Sequence, residues 1–137
     1  MIVFDTDVIS YVLKPAPPAG LIRRLANVEP TEQATTAITA GELLYGACRS
    51  SKTKSLLKAL DELVWPNLKV LPFDRRAAFV YGRLRADLEA AGTPISEPDL
   101  RIGSICLSRE AVLATGNERH FRKIPGLKIE NWLAAYR

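Results

Sequence analysis

Asp5, Glu42 and Asp99 are the residues of this 137-residue chain whose type and placement could carry out chemistry. Asp5 follows the apolar run Ile2-Val3-Phe4, and Glu42 follows the β-branched run Thr35-Thr36-Ala37-Ile38. Asp99 stands in Ser96-Glu97-Pro98-Asp99, at the head of an apolar helical pattern. Taken singly, each acid reads as a helix cap. Thr39-x-x-Glu42 and Ser96-x-x-Asp99 match a capping box or its acidic variant, and Asp5 or Asp7 suits the start of a first helix. Their shared placement outweighs that reading: Asp5 and Glu42 follow strands, and Asn117 follows another, Val112 to Thr115. In an open parallel sheet such strand-to-helix junctions lie along one edge, where ligands bind. Carboxylates gathered there raise one another's pKa unless a divalent cation compensates them. Hard Asp and Glu oxygens without His or Cys favour Mg²⁺, with Mn²⁺ as its substitute, over zinc. Such a site can activate water and neutralise charge on a phosphodiester.

The elements that must position these acids follow from hydrophobic periodicity. Ile2-Val3-Phe4 predicts a strand, and Val8, Ile9, Tyr11, Val12 and Leu13 a helix ending at Lys14-Pro15. A second short helix is expected over Leu21 to Asn27 and a second strand over Thr35 to Ile38, leading into the helix that carries Glu42. Thr53 to Val64 places Leu56, Leu57, Leu60, Leu63 and Val64 on one stripe, stopped by Trp65-Pro66. Leu68 to Leu71 reads as a third strand. The longest helix runs from Asp74, as N-cap, to Gly92, as stop. Ser96 opens the next helix, Ala111 to Thr115 gives a fourth strand, and Lys128-Ile129 a fifth before a closing helix through Trp132. Strands alternating with helices, without hairpin signals, indicate an α/β fold with a mainly parallel sheet of four to five strands flanked by helices.

Composition fits one soluble domain over residues 1–137, with no linker that would divide it. Cys48 and Cys106 lie inside helical apolar patterns without Cys-x-x-Cys spacing, and read as buried reduced thiols. Met1 to Asp5 lacks the basic and long apolar stretches of a signal peptide, and no run reaches membrane-spanning length, so a cytoplasmic location is expected. A net charge of +4 suits a polyanionic partner. Arg119, Arg122 and Lys123 are candidate phosphate contacts. Glu97 and Glu118 read as solvated acids. His120 has no partner at triad or metal spacing in the sequence.

Several segments, in order, resemble the PIN-domain nucleases, particularly the VapC toxins of bacterial toxin–antitoxin pairs. They are Asp5-Thr6-Asp7-Val8-Ile9-Ser10, Glu42-Leu43-Leu44-Tyr45-Gly46-Ala47, Leu71-Pro72-Phe73-Asp74, Tyr81-Gly82-Arg83-Leu84-Arg85, Gly92-Thr93-Pro94-Ile95 with Asp99, and Thr115-Gly116-Asn117 with Phe121 and Pro125-Gly126-Leu127. The resemblance implies a PIN-like three-layer sandwich and a Mg²⁺-dependent endoribonuclease with Asp5, Glu42, Asp99 and Asn117 in its site. Asp5 and Asp99 would be the metal ligands. Asn117 stands where many PIN domains carry a fourth acid, and Asp7 where Asn is usual; Asp7 is expected to cap the first helix. The implied role is inhibition of translation by cutting structured RNA such as transfer or ribosomal RNA. The implied partners are a VapB-type antitoxin and a second copy of the chain, with no membrane. The antitoxin is expected across the first helix and the Glu42 helix, where Ile9, Tyr11, Leu43, Leu44 and Tyr45 supply apolar surface. Two other readings compete: a PIN nuclease of RNA maturation without an antitoxin, and a receiver-like phosphorylation module using Asp5, Asp7, Thr115 and Lys128. The receiver reading lacks an Asp closing a central strand, since Asp74 lies beyond Pro72-Phe73.

Overall fold

In the computed structural model, which describes residues 1–136, the chain folds around one five-stranded, all-parallel sheet. The strands are β1 (Ile2–Phe4), β2 (Gln33–Thr36), β3 (Lys69–Leu71), β4 (Val112–Thr115) and β5 (Lys128–Asn131). Their order across the sheet is β3-β2-β1-β4-β5, and β1 pairs with β2 through Ile2 and Gln33 and with β4 through Ile2 and Val112. The chain therefore builds outward from β1 in one direction, then crosses over to build outward in the other. That reversal opens a crevice at the carboxyl ends of β1 and β4.

The helices are α1 (Thr6–Val12), α2 (Ala19–Ala26), α3 (Ala37–Arg49), α4 (Thr53–Ala59), α5 (Arg75–Ala90), α6 (Glu97–Ser108) and α7 (Glu118–Phe121). Four begin on a side-chain cap, Asp5 for α1, Thr36 for α3, Asp74 for α5 and Ser96 for α6. Each oxygen takes a first-turn amide that has no partner within the helix. After α5, Gly92 turns the chain at φ +71°, a conformation that costs glycine least.

Several boundaries differ from the sequence expectation. β2 stops at Thr36 because the Thr36 hydroxyl accepts the Thr39 amide, which makes Ala37 and Ile38 the start of α3. Glu42 consequently stands beyond the first turn and closes no capping box. The stripe from Thr53 to Val64 is α-helical only to Ala59; Leu60–Val64 widens into a π turn. The closing helix is a 3₁₀ turn at Ala134–Tyr136, after Trp132, and α7 is an element that the periodicity did not reveal.

Each face of the sheet carries its own core. On one face Val3, Leu113, Leu84, Leu88, Ile102, Ile105, Phe121 and Ile124 pack under α5 and α6. Gly103 lets the segment after α7 approach, since a Cβ there would stand 2.5 Å from Ile124 Cδ1. On the other face Phe4, Val8, Ile9, Leu21, Leu60, Val64 and Leu133 pack beneath α1, α2 and α4, and Trp132 meets Phe4 edge-on at 5.1 Å. Cys106 lies inside the first core, where burial raises its thiol pKa. Cys48 is exposed, contrary to expectation, because no element covers the outer face of α3. Among the described residues no helix is long and apolar enough to cross a membrane.

Candidate active site

Asp5 sits where β1 becomes α1, at the crevice. Its Oδ1 accepts the Thr6 amide at 2.8 Å and its Oδ2 accepts the Thr115 hydroxyl at 2.7 Å, which ties the ends of β1 and β4 together. Only 4% of Asp5 is exposed. Burial, with the negative charge of Asp7 and more weakly of Asp99, lifts its pKa from 3.8 to about 7, although the Thr115 and Thr6 hydrogen bonds pull the other way. Natural sequences keep such a buried carboxylate where charge compensation is available.

Asp7 does not cap α1, because Asp5 already does. Its Oδ2 accepts the Gly116 amide at 3.0 Å and fastens α1 to the turn after β4. The Thr6 hydroxyl donates to Glu42 Oε1 at 2.8 Å, holding the exposed Glu42 carboxylate of α3 toward the start of α1. Thr36 and Thr39 continue this line of hydroxyls behind it.

Asp99 occupies the first turn of α6, whose start Ser96 caps by accepting the Asp99 amide. The position of that turn is set from α5. Tyr81 donates to Glu97 Oε2 at 2.7 Å, while Arg85 and Arg101 reach the same carboxylate at 3.2 and 3.3 Å. Glu97 is therefore a structural clasp, held below the usual carboxylate range by the Tyr81 hydrogen bond and the two guanidiniums. Glu118 is likewise committed, to Arg122 and Asn131. Arg119 and Lys123 carry no ion pair among the described residues. Asn117 lies at the turn from β4 to α7, its amide donating to the Thr115 hydroxyl. His120, which the sequence left without a partner, stands on α7 with Nδ1 3.6 Å from Asp99 Oδ2. Only the presence of α7, packed by Phe121, brings the two together.

Among the described residues no three His, Cys, Asp or Glu side chains already enclose a cation position. The donor set still fits Mg²⁺. This ion is commonly held by one or two carboxylates and keeps several waters, and Asp5 with Asp99 supplies hard oxygens in a locally negative crevice.

The PIN domain pattern matches residues 2–127. The chain is 34% identical over 128 residues to the tRNA(fMet)-specific endonuclease VapC of Salmonella typhimurium, covering 93% of this chain and 95% of that protein. It is 31% identical to the ribonuclease VapC2 of Rickettsia felis, again over 93% of this chain and 95% of the relative. A solved complex of VapBC2 from Rickettsia felis, bound to a DNA fragment from the promoter, contains a chain that superimposes with a TM-score of 0.87 at 31% identity. That match covers 96% of this chain and 99% of the other.

Proposed function

The chain belongs to the PIN-domain family, within its VapC ribonucleases, and on that premise we propose that it cuts structured RNA in the crevice formed by Asp5, Glu42, Asp99 and Asn117. The observation that carries the assignment is Asp5, a buried carboxylate bonded to Thr115 where the strand order reverses. We assign Asp5 and Asp99 as the Mg²⁺ ligands, with Mn²⁺ as the substitute. When bound, the ion supplies positive charge to the phosphodiester and acidifies a water. The residues around it have separate tasks. Thr115 holds Asp5 in one orientation, Thr6 holds Glu42 where it can accept a proton from attacking water, and Asn117 offers an uncharged amide to water or phosphate. Arg119 and Lys123 steer the polyanion. The products are a 5′-phosphate and a 3′-hydroxyl.

A transfer RNA is the substrate class to test first, since the Salmonella relative is named for one. Purified protein incubated with total transfer RNA and Mg²⁺ should yield discrete fragments with those ends. Asp5→Asn and Glu42→Gln should abolish the fragments without unfolding the chain. Cleavage by Glu42→Gln at the wild-type rate would reduce Glu42 to a structural residue.

The protein acts as the toxin of a toxin–antitoxin pair in the cytoplasm, as one domain over residues 1–137. The VapB-type antitoxin docks in an apolar groove of about 460 Å³ lined by Val12, Leu13, Ile22, Leu25, Leu63 and Leu68. This differs from the surface expected from sequence. Ile9 is buried in the core beneath that groove, and Leu44 and Tyr45 lie exposed on the outer face of α3. A helical segment suits a groove of this kind through anchors spaced three and four residues apart. Because α1 runs from the crevice to the groove, a basic residue on the same segment can reach Asp5 and Asp99. We assign the α3 face, where Gly41, Leu44, Tyr45 and Cys48 share one exposed stripe, to a second copy of the chain. Sedimentation should give dimers that Leu44→Glu converts to monomers.

A further inference from the structure

We propose that His120 is a ligand of the divalent cation, adding one imidazole nitrogen to the carboxylate oxygens of Asp99 and Asp5; the inference rests on the cation site proposed above. His120 is the only histidine in the chain. It stands on α7, a single-turn helix whose phase is fixed by Phe121, which is fully buried in the core. The adjacent His120 side chain is thereby turned outward to the start of α6. Its Nδ1 lies 3.6 Å from Asp99 Oδ2, and among the described residues it has no other polar partner.

The length of that gap is informative. It exceeds a hydrogen bond, so the two groups do not satisfy each other. Two donors about 2.1 Å from one ion and at right angles to each other stand roughly 3 Å apart. The imidazole is well exposed and the carboxylate is 18% exposed, so a small side-chain rotation closes the difference. Asn117, on the turn that leads into α7, offers no charge and no nitrogen donor. His120 restores from the same turn a coordinating atom that a fourth acid would otherwise supply. Carboxylates alone favour hard Mg²⁺, whereas an imidazole shifts preference toward Mn²⁺ and the later transition ions. The site is therefore built to take Mn²⁺ in preference to Mg²⁺.

Untagged protein loaded with Mn²⁺ provides a direct test, because any imidazole nitrogen coupled to the ion must belong to His120. Pulsed electron paramagnetic resonance should show that coupling, and ¹⁵N-histidine labelling should change it. By calorimetry, His120→Ala should weaken Mn²⁺ binding about tenfold or more, the scale of removing an imidazole interaction at a metal site, and alter Mg²⁺ binding by less than about twofold. Mn²⁺ bound through Asp99, with no nitrogen coupling and unchanged affinity in His120→Ala, would overturn the role of His120 and leave the carboxylate site standing. Mn²⁺ and Mg²⁺ binding that is absent, or indifferent to both Asp5→Asn and Asp99→Asn, would overturn the cation site itself and this inference with it.

Discussion

Beneath α5 and α6 the sheet is sealed: Val3, Leu113, Ile105 and Phe121 are inaccessible to solvent, and Tyr81, Arg85 and Arg101 hold the first turn of α6 by one carboxylate. On the opposite face the elements leave an open groove of about 460 Å³, and Phe4, Val8 and Ile9 contribute to its walls. Asp99 thus projects from a finished layer, whereas Asp5 projects from α1, which borders an unfinished one. The difference separates two tasks. The sealed layer gives the crevice a fixed wall, and the open layer keeps apolar surface available whose burial would stabilise a complex. A partner filling the groove lies against the same helix that Asp5 caps, so occupancy and access to the crevice are coupled through α1.

The largest effect should come from the fixed wall. Asp99→Asn should lower RNA cleavage by about 10³-fold or more, equivalent to roughly 4 kcal/mol of transition-state stabilisation, while circular dichroism stays unchanged. A loss below tenfold would show that Asp99 is only a helix-start residue.

Asp5 tests the other side of the crevice through stability. Its folded pKa, about 7, lies above its ordinary value of 3.8, so the folded state retains a proton that the unfolded chain releases. Without divalent cations, that stability is present below about pH 4, falls as the pH rises, and is fully lost above about 7. Asp5→Asn removes the dependence. In a chelator, the variant should be more stable than wild type above neutral pH, by at most roughly 4 kcal/mol, and the difference should vanish at low pH. Thermal melts across a pH series measure this, and excess Mg²⁺ should erase the advantage.

Thr115→Val keeps the volume of a fully buried side chain but removes the hydroxyl that donates to Asp5 Oδ2. Calorimetry should show Mg²⁺ affinity falling by about tenfold or more. The smallest effect is expected in the open layer. Ile22→Asp, at the lip of the groove, should weaken the antitoxin by on the order of tenfold while leaving cleavage by the free protein unchanged. Weakened cleavage in that variant would mean that the two layers are not functionally separate.

Local patterns carried much of this organisation. Ile2-Val3-Phe4, the α5 stripe and the caps at Asp5, Asp74 and Ser96 depend on residues close in sequence, so each could be read directly. Placement of Asp5, Glu42 and Asn117 after strands followed from the same local signals. The Thr36 cap could not be read, because a β-branched run favours strand until one of its own hydroxyls takes a helix amide. The short α7 spans a single turn, too brief for periodicity, and tertiary burial of Phe121 holds it in place. His120 and Asp99, Asp7 and Gly116, and Glu97 with Tyr81 are separated in the chain, and only the packed fold brings each set together. The groove is likewise invisible in sequence: an apolar stripe looks the same whether another helix covers it or leaves it open. What the sequence determined by itself was the identity of the acids and the strands and caps that carry them, since propensity and capping act over a few residues. Which neutral and charged side chains meet those acids, and which apolar face remains uncovered, was decided by long-range packing of the two layers on one sheet.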